Sequence, residues 1–409
     1  MNWKDKNVLI TGVGGFAGSY LAEELLKQNA NVYGLIRRRA DGTKAKNLID
    51  HGIENSVKTI EGDLTEITSL TTALEISDPD YVFHLAAQSF VPRSFENSPE
   101  TQMINCIGTA NLLDAARIKD SNLKIVFAGS SEEYGLVISS EEQYKHAIKE
   151  YGTVFPEPVE IPEVPIKETN PLRPMSPYAV SKVYGDHLMR NYYHSYGLDT
   201  VVSRAFNHEG AGRGLMFVTS VVTNQIMKLK FGELDKITIG NLNAFRDWSH
   251  VKDIVNGYMT LANNGKSGEV YNQGSMRTNS VLSYILLGLK EAGWNISKIE
   301  TFKGEKLVED PTEIDDSAIF GVKFDKTSVD TKILEGKLEY TREDKGIKVH
   351  TDKGTVPIEF NPDRFRPAEV PILFADTAKI KNIGAKIDHS LNDIINDQLN
   401  YFLKKENRL

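Results

Sequence analysis

The sequence holds a single cysteine, Cys106, in 409 residues. That excludes an intramolecular disulfide and any site built from several thiolates. No apolar run approaches the ~18 residues of a membrane span. The first residues lead straight into a strand-like segment and not into a signal-peptide core, so a soluble, cytoplasmic protein with no membrane partner is expected. A basic surplus is missing as well. The 48 Lys+Arg against 56 Asp+Glu give a net charge of -8, a balance that repels polyanions, and nucleic acid is not an expected partner. The nine histidines form no ligand pattern. His208-Glu209 lacks a second histidine three residues after the glutamate, so no metal is expected; His84 and His250 read as local hydrogen-bonding residues. No fixed-period repeat and no low-complexity stretch is present.

What is present is an ordinary globular composition, 40% hydrophobic and 25% charged, on a chain long enough for two or three domains. Residues 7–11, 31–36, 57–60, 81–85, 124–128 and 200–203 read as short buried strands. Helical stretches lie between most of them, the first over 16–28. That alternation predicts an α/β fold: a Rossmann-type doubly wound parallel sheet of order 3-2-1-4-5-6, with its ligand crevice at the carboxyl ends of the strands. The nucleotide-binding domain is expected over 1–203, with further elements returned from about 240–275, and a smaller α/β substrate-binding domain over 204–409.

Two stretches break the rhythm. Residues 137–165 look like an insertion, with a helix over 141–151 followed by prolines at 156, 158, 162 and 165. Residues 337–340, 347–350 and 355–358 alternate in polarity between Asp-Lys-Gly turns, which predicts a three-strand antiparallel meander inside a β-rich insertion over 304–361.

Between the first strand and the first helix runs Thr11-Gly12-Val13-Gly14-Gly15-Phe16-Ala17-Gly18. Glycines at 12, 15 and 18 tighten the turn, admit a pyrophosphate to the backbone N–H groups and let the helix, opened by Phe16, pack on the strand. The second strand ends in Leu35-Ile36-Arg37-Arg38-Arg39, where an NAD site usually carries a carboxylate. Guanidinium forks at Arg37 and Arg38 suit a 2′-phosphate, so NADP is expected before NAD. Asp63 and Leu64 are placed at the adenine, and Leu85, Ala86 and Ala87 along the diphosphate and nicotinamide ribose.

Ser176-Pro177-Tyr178-Ala179-Val180-Ser181-Lys182 puts Tyr178 and Lys182 on one face of a helix that starts at the proline. A phenol serving as a base near pH 7 needs a downward shift of about 3 units, which a lysine ammonium and a nicotinamide cation favour. Where the fifth strand ends, Ser130 is placed to bond a substrate hydroxyl and share its proton with Tyr178. Glu132 supplies the carboxylate that elimination of water beside a ketone requires and a simple hydride transfer does not. Capping of the following turn by Ser131 or Glu132 is the competing reading.

These residues resemble the extended short-chain dehydrogenase/reductases, and among them the GDP-mannose 4,6-dehydratases. The likeness is carried by Leu85-Ala86-Ala87-Gln88-Ser89-Phe90-Val91, Asn105 with Gly108-Thr109, Ser130-Ser131-Glu132, Asn207-His208-Glu209-Gly210 with Arg213-Gly214, Arg246-Asp247-Trp248, and Arg366-Pro367-Ala368-Glu369-Val370. The resemblance implies a hydro-lyase acting on a nucleotide sugar, with Ser131 assisting the departure of water and Gln88, Ser89 and Asn207 at the sugar or its phosphate. It implies Arg213, Arg246 and Arg366 at the diphosphate and Glu369 at the nucleoside. It also implies a homodimer or homotetramer, with a basic helical stretch from Arg37 to Ile53 like the segment that joins tetramers. An epimerase or 4-keto-6-deoxy sugar reductase of the same fold is the first alternative, and a non-catalytic NADP-binding protein the second. Departures are Ser130 where the family has threonine, the two insertions, both expected near the sugar-nucleotide side, and Ile383-Gly384-Ala385-Lys386 in place of a Gly-Trp-x-Pro.

Overall fold

The computed structural model describes residues 3–38, 40, 42–119, 122–365 and 369–408. Seven strands form the central sheet: β1 (Asn7–Thr11), β2 (Asn31–Ile36), β3 (Lys58–Glu61), β4 (Tyr81–His84), β5 (Lys124–Ala128), β6 (Asp199–Ala205) and β7 (Val270–Gln273). Their order is β3-β2-β1-β4-β5-β6-β7, and every neighbouring pair is parallel. The expected six-strand order is therefore present, with a seventh strand added beyond β6 by a segment returning from later in the chain. Buried Val8, Ile10, Phe83 and Val126 face one helical layer, and Leu9, Val82, Ile125 and Phe127 the other. A strand covered on both faces has no reason to alternate in polarity, which is why these segments read as continuous apolar runs.

A second core collects the remainder. Five strands in the order Leu307–Glu309, Ile296–Thr301, Gly346–Thr351, Gly354–Phe360, Ile237–Ile239 make a mixed sheet, with only the last pair parallel. Helices Val218–Lys230, Val281–Glu291 and Leu391–Tyr401 share its core through Val222, Ile285 and Ile394.

Two local expectations change. The meander forms its second and third strands, joined across Asp352-Lys353 with Thr351 opposite Gly354, but residues 337–340 are not a strand. Leu338 and Tyr340 are buried as the alternation suggested, yet the backbone N–H and C=O of Tyr340 bond the side chain of Asn243, and Ile296–Thr301 takes the sheet position instead. The helical stretch from 37 to 53 shrinks to Lys46–Asp50. The 137–165 insertion carries its helix at Glu141–Tyr151 and is clamped by a buried fork, Arg173 Nη1 and Nη2 donating to Glu163 at 2.7 and 2.8 Å. Ile138, Ala147 and Val154 form a small cluster with Leu136, while Val137 and Val164 join a core shared with Phe206 and Phe374. Neither insertion lines the large cleft described next, although Asp363, Arg364 and Phe365 just beyond the second one do.

Candidate active site

At the carboxyl ends of the central strands lies a cleft of about 1590 Å³. Its floor is the first strand-to-helix turn. Gly12 has φ +76°, and a Cβ there would stand 2.8 Å from the N of Ala86; a Cβ on Gly18 would stand 2.3 Å from the O of Gly12. Any larger residue would collide with this backbone, so glycine is what lets the turn stay tight, the form of turn that suits a dinucleotide. Gly15, Phe16, Leu64, Leu85 and Ala87 line the same wall. Asp63 accepts from the N–H and hydroxyl of Thr65 at 2.9 and 2.8 Å; those bonds and nearby Arg37 hold its carboxyl below the usual range against the opposing effect of burial. Arg37 lines the cleft, whereas Arg38, equally exposed, does not.

The Pro177–Tyr196 helix is capped by Ser176, whose Oγ accepts the N–H of Ala179 at 3.1 Å. This start sets Tyr178 and Lys182 on the cleft wall one turn apart. Lys182 Nζ donates to the O of Ala128 at 2.7 Å and sits 4.9 Å from the Phe127 ring centre. Burial pushes the ammonium down to about 8, opposed by the charge of Glu133. Tyr178 hydrogen-bonds Ser130, and burial pushes its phenol up to about 12, with Ser130 and Arg213 opposing and Glu132 and Glu133 adding to the rise. The downward shift expected of this phenol is not seen in the protein alone: desolvation dominates, and the groups that oppose it are Ser130 and Arg213 and not Lys182.

Ser131–Glu133 is a single 3₁₀ turn closed by a reciprocal cap. Ser130 Oγ accepts the N–H of Glu132 at 3.2 Å, and Glu133 Oε1 accepts the N–H of Ser130 at 2.7 Å. Capping falls to Ser130 and Glu133, not to Ser131 or Glu132. The latter two line the cleft beside Tyr178. Glu133 escaped the sequence reading, although Ser130-x-x-Glu133 is itself a capping-box pattern.

Gln88, Ser89, Asn207, Arg213, Arg246 and Glu369 reach the same cleft; Arg366 lies outside the described residues. Asn207 Oδ1 is buried and accepts no hydrogen bond among the described residues. The Arg213 guanidinium covers Phe217 at 3.5 Å and Phe16 at 5.1 Å and stands 3.5 Å from Glu209. Arg246 donates to Glu369 at 2.8 Å and to the carbonyls of Phe245 and Val370 at 2.8 and 2.7 Å. Arg213 and Arg246 thus each carry a carboxylate partner, which compensates the charge of a buried guanidinium. His84 and His250 are local, as expected: His84 bridges Thr11 and Thr109 at 2.8 and 3.0 Å, and His250 Nδ1 accepts the N–H of Lys252 at 3.1 Å. No helix among the described residues is long and apolar enough to cross a membrane.

Comparison with known proteins places this geometry. A model of the NAD dependent epimerase/dehydratase family matches residues 8–274. The chain is 32% identical over 385 residues to a GDP-mannose 4,6-dehydratase of Yersinia enterocolitica, covering 92% of this chain and 88% of the relative. It is 33% identical over 385 residues to one of Vibrio cholerae, at 92% and 88% coverage. A human GDP-mannose 4,6 dehydratase is 34% identical over 271 residues, at 64% and 66% coverage. Among solved structures, RMD from Pseudomonas aeruginosa complexed with NADPH has a similar fold, with TM-score 0.66, 21% identity and coverage of 97% and 98%. The UDP-glucose 4-epimerase of Thermus thermophilus complexed with NAD is similar in fold at TM-score 0.66 and 21% identity, again covering 97% and 98%.

Proposed function

The chain belongs to the NAD dependent epimerase/dehydratase family, and we propose that within it this protein is a GDP-mannose 4,6-dehydratase, a hydro-lyase that forms the 4-keto-6-deoxy sugar with NADP as its resident cofactor. Two supports meet here: similarity to GDP-mannose 4,6-dehydratases over 92% of the chain, and a carboxylate, Glu132, in the same cleft as Tyr178 and Lys182. The carboxylate carries the reading, because a reductase, or an epimerase that inverts the oxidised carbon itself, removes no proton from a neighbouring carbon.

When bound, the nicotinamide takes up a hydride from one carbon of the sugar and gives one back to another. The glycine turn at 12–18 would cradle its diphosphate, and Arg37 would favour the 2′-phosphate. Tyr178 takes the proton of the sugar 4-hydroxyl, helped by its hydrogen bond to Ser130. Lys182 lends positive charge to the ribose side and to the phenol. The ketone formed at position 4 acidifies the hydrogen at position 5, and Glu132 removes it. Ser131 hydrogen-bonds the departing 6-hydroxyl, which leaves as water and carries off the proton that Glu132 took; with hydride returned to position 6, Glu132 passes a proton from solvent to position 5, and Tyr178 gives up the 4-hydroxyl proton to solvent. Asn207, Arg213 and Arg246 bind the sugar diphosphate, and Glu369 the nucleoside end. Assembly as a homodimer or homotetramer belongs to the same reading and is checked by light scattering.

The deciding experiment is incubation with GDP-mannose deuterated at position 4, followed by mass spectrometry and NMR. Loss of one water with deuterium recovered at position 6 is expected. Glu132→Gln should abolish turnover while cofactor affinity stays unchanged; unaffected turnover in that variant would overturn the mechanism.

A further inference from the structure

Arg213 reaches the cleft on a loop with little stiffness of its own. Gly210, Ala211 and Gly212 lie between the strand Asn207–Glu209 and Arg213, and Gly212 has φ +80°. Glycine loses more conformational freedom on ordering than any other residue, so such a loop holds one shape only if something outside holds it. The guanidinium adds little direction. Its neighbours are the faces of Phe217 and Phe16, Glu209 stands 3.5 Å away, and its buried Nε makes no hydrogen bond among the described residues.

The loop is fastened instead at Ala211, through both of its backbone groups. The N–H donates to Asp397 Oδ2 at 2.7 Å, and the C=O accepts the Tyr20 hydroxyl at 2.9 Å. Asp397 lies on the helix Leu391–Tyr401, 186 residues further along the chain. A Cβ on Gly210 would stand 3.1 Å from the same carboxylate oxygen, so the loop passes close over Asp397. His250 completes the setting: its Nδ1 accepts the N–H of Lys252, which leaves a proton on Nε2, 3.3 Å from Asp397 Oδ2. Burial acts to raise the Asp397 carboxyl, but the bonds from His250 and Ala211 hold it below the usual range. It is therefore a carboxylate at neutral pH, the stronger kind of acceptor for a backbone N–H.

On the functional reading given above, we propose that Asp397 is a positioning residue for the sugar nucleotide: by holding the Ala211 N–H it fixes the 210–212 loop and keeps Arg213 aimed at the diphosphate.

Asp397 does not itself line the cleft, whereas Gly212 and Arg213 do, so its effect on the substrate passes through the loop. The diphosphate takes no part in the bond changes at the sugar. A loosened Arg213 therefore weakens the ground and transition states alike, and the loss belongs in KM and not in kcat.

The test compares Asp397→Ala with Asp397→Asn, whose amide oxygen still accepts the Ala211 N–H. The side chain is 31% exposed on a helix that tolerates alanine, so both variants should fold. In Asp397→Ala the KM for GDP-mannose should rise about tenfold while kcat and NADPH affinity stay within about twofold. Asp397→Asn should bring KM back to within about threefold of wild type. Because the effect passes through Arg213, Asp397→Ala should add less than about twofold to KM in an Arg213→Ala background. Losses that multiply in the double variant, or a fall in kcat at unchanged KM, would overturn the proposal. A ligand-free measurement separates it from the functional reading. Hydrogen exchange at the Ala211 amide should be slow in wild type, about tenfold faster in Asp397→Ala and slow again in Asp397→Asn. An amide equally protected in Asp397→Ala overturns the proposal whatever the kinetics. A wild-type protein that leaves GDP-mannose intact, with this exchange pattern observed, sinks the substrate assignment and leaves the hold on the loop standing.

Discussion

Asn105 closes both backbone hydrogen bonds of Gln88: the N–H of Gln88 donates to its Oδ1 at 2.8 Å, and its Nδ2 donates to the O of Gln88 at 3.0 Å. The second Nδ2 hydrogen reaches Ser181 Oγ at 2.9 Å. Asn105 sits in the π-helical turn Met103–Ile107, where the wider winding alters the direction in which side chains leave the helix. One buried amide thereby joins the segment after β4 to the helix of Tyr178 and Lys182. Asn105→Ala leaves three polar groups without this partner and should cost about 2–4 kcal/mol. Urea unfolding measures it; a loss below about 0.5 kcal/mol would mean that water replaces the amide freely.

Tyr178→Phe removes one hydroxyl, whose bond is to Ser130, and leaves the packing of the ring intact. Turnover should fall by about 10²–10⁴ while the thermal midpoint barely changes. Turnover retained to within about tenfold would take the proton-accepting role away from this residue.

Arg37 and Arg38 are adjacent in sequence and differ in place: only Arg37 lines the cleft. Arg37→Ala should weaken NADPH binding by about 1.5–3 kcal/mol, the range for a hydrogen bond to a charged group, with little effect on NADH. Arg38→Ala should leave both unchanged. Fluorescence titration of the two nucleotides decides, and equal effects from the two variants would return the site to the paired forks expected from sequence.

His84 gives the stability its acid dependence. Thr109 Oγ1 already donates to the O of Asn105 at 2.6 Å, so it accepts from Nε2 of His84, and Nδ1 accepts the Thr11 hydroxyl. The ring is held neutral, and burial, with the Lys182 charge adding to it, pushes it down to about 3. Its folded value lies below the unfolded one near 6.5, so the unfolded chain binds more protons between about pH 3 and 6.5 and stability falls as pH drops through that window. At pH 5 the contribution is about 2 kcal/mol. His84→Gln should shrink the difference in unfolding free energy between pH 7 and pH 5 by that amount; an unchanged difference would place the acid sensitivity elsewhere, with His208, pushed down by burial to about 4, as the next residue to replace.

Most of the strand order and the location of the cleft were legible in the chain, because both follow from local rules. Short apolar runs followed by helices force a parallel sheet, and its carboxyl ends open where the connections cross. The helix over Glu141–Tyr151 was legible for a similar reason, with Ser140 as its cap. The strand expected at 337–340 failed because its alternation satisfied burial equally well without pairing. The side chain of Asn243, almost a hundred residues earlier, bonds the Tyr340 backbone that a neighbouring strand would have used.

What the sequence alone determined is what spacing within one element can encode: the glycines of a turn whose backbone must approach a diphosphate, and a tyrosine and lysine one helical turn apart. What only tertiary structure decided is which charges face one another. Glu133 meets Arg204, and Arg246 meets Glu369, because remote segments converge on a buried wall where low polarity forces compensation. No periodicity along the chain records such a meeting, since the free energy of a buried pair depends on distance in space and not on separation in sequence.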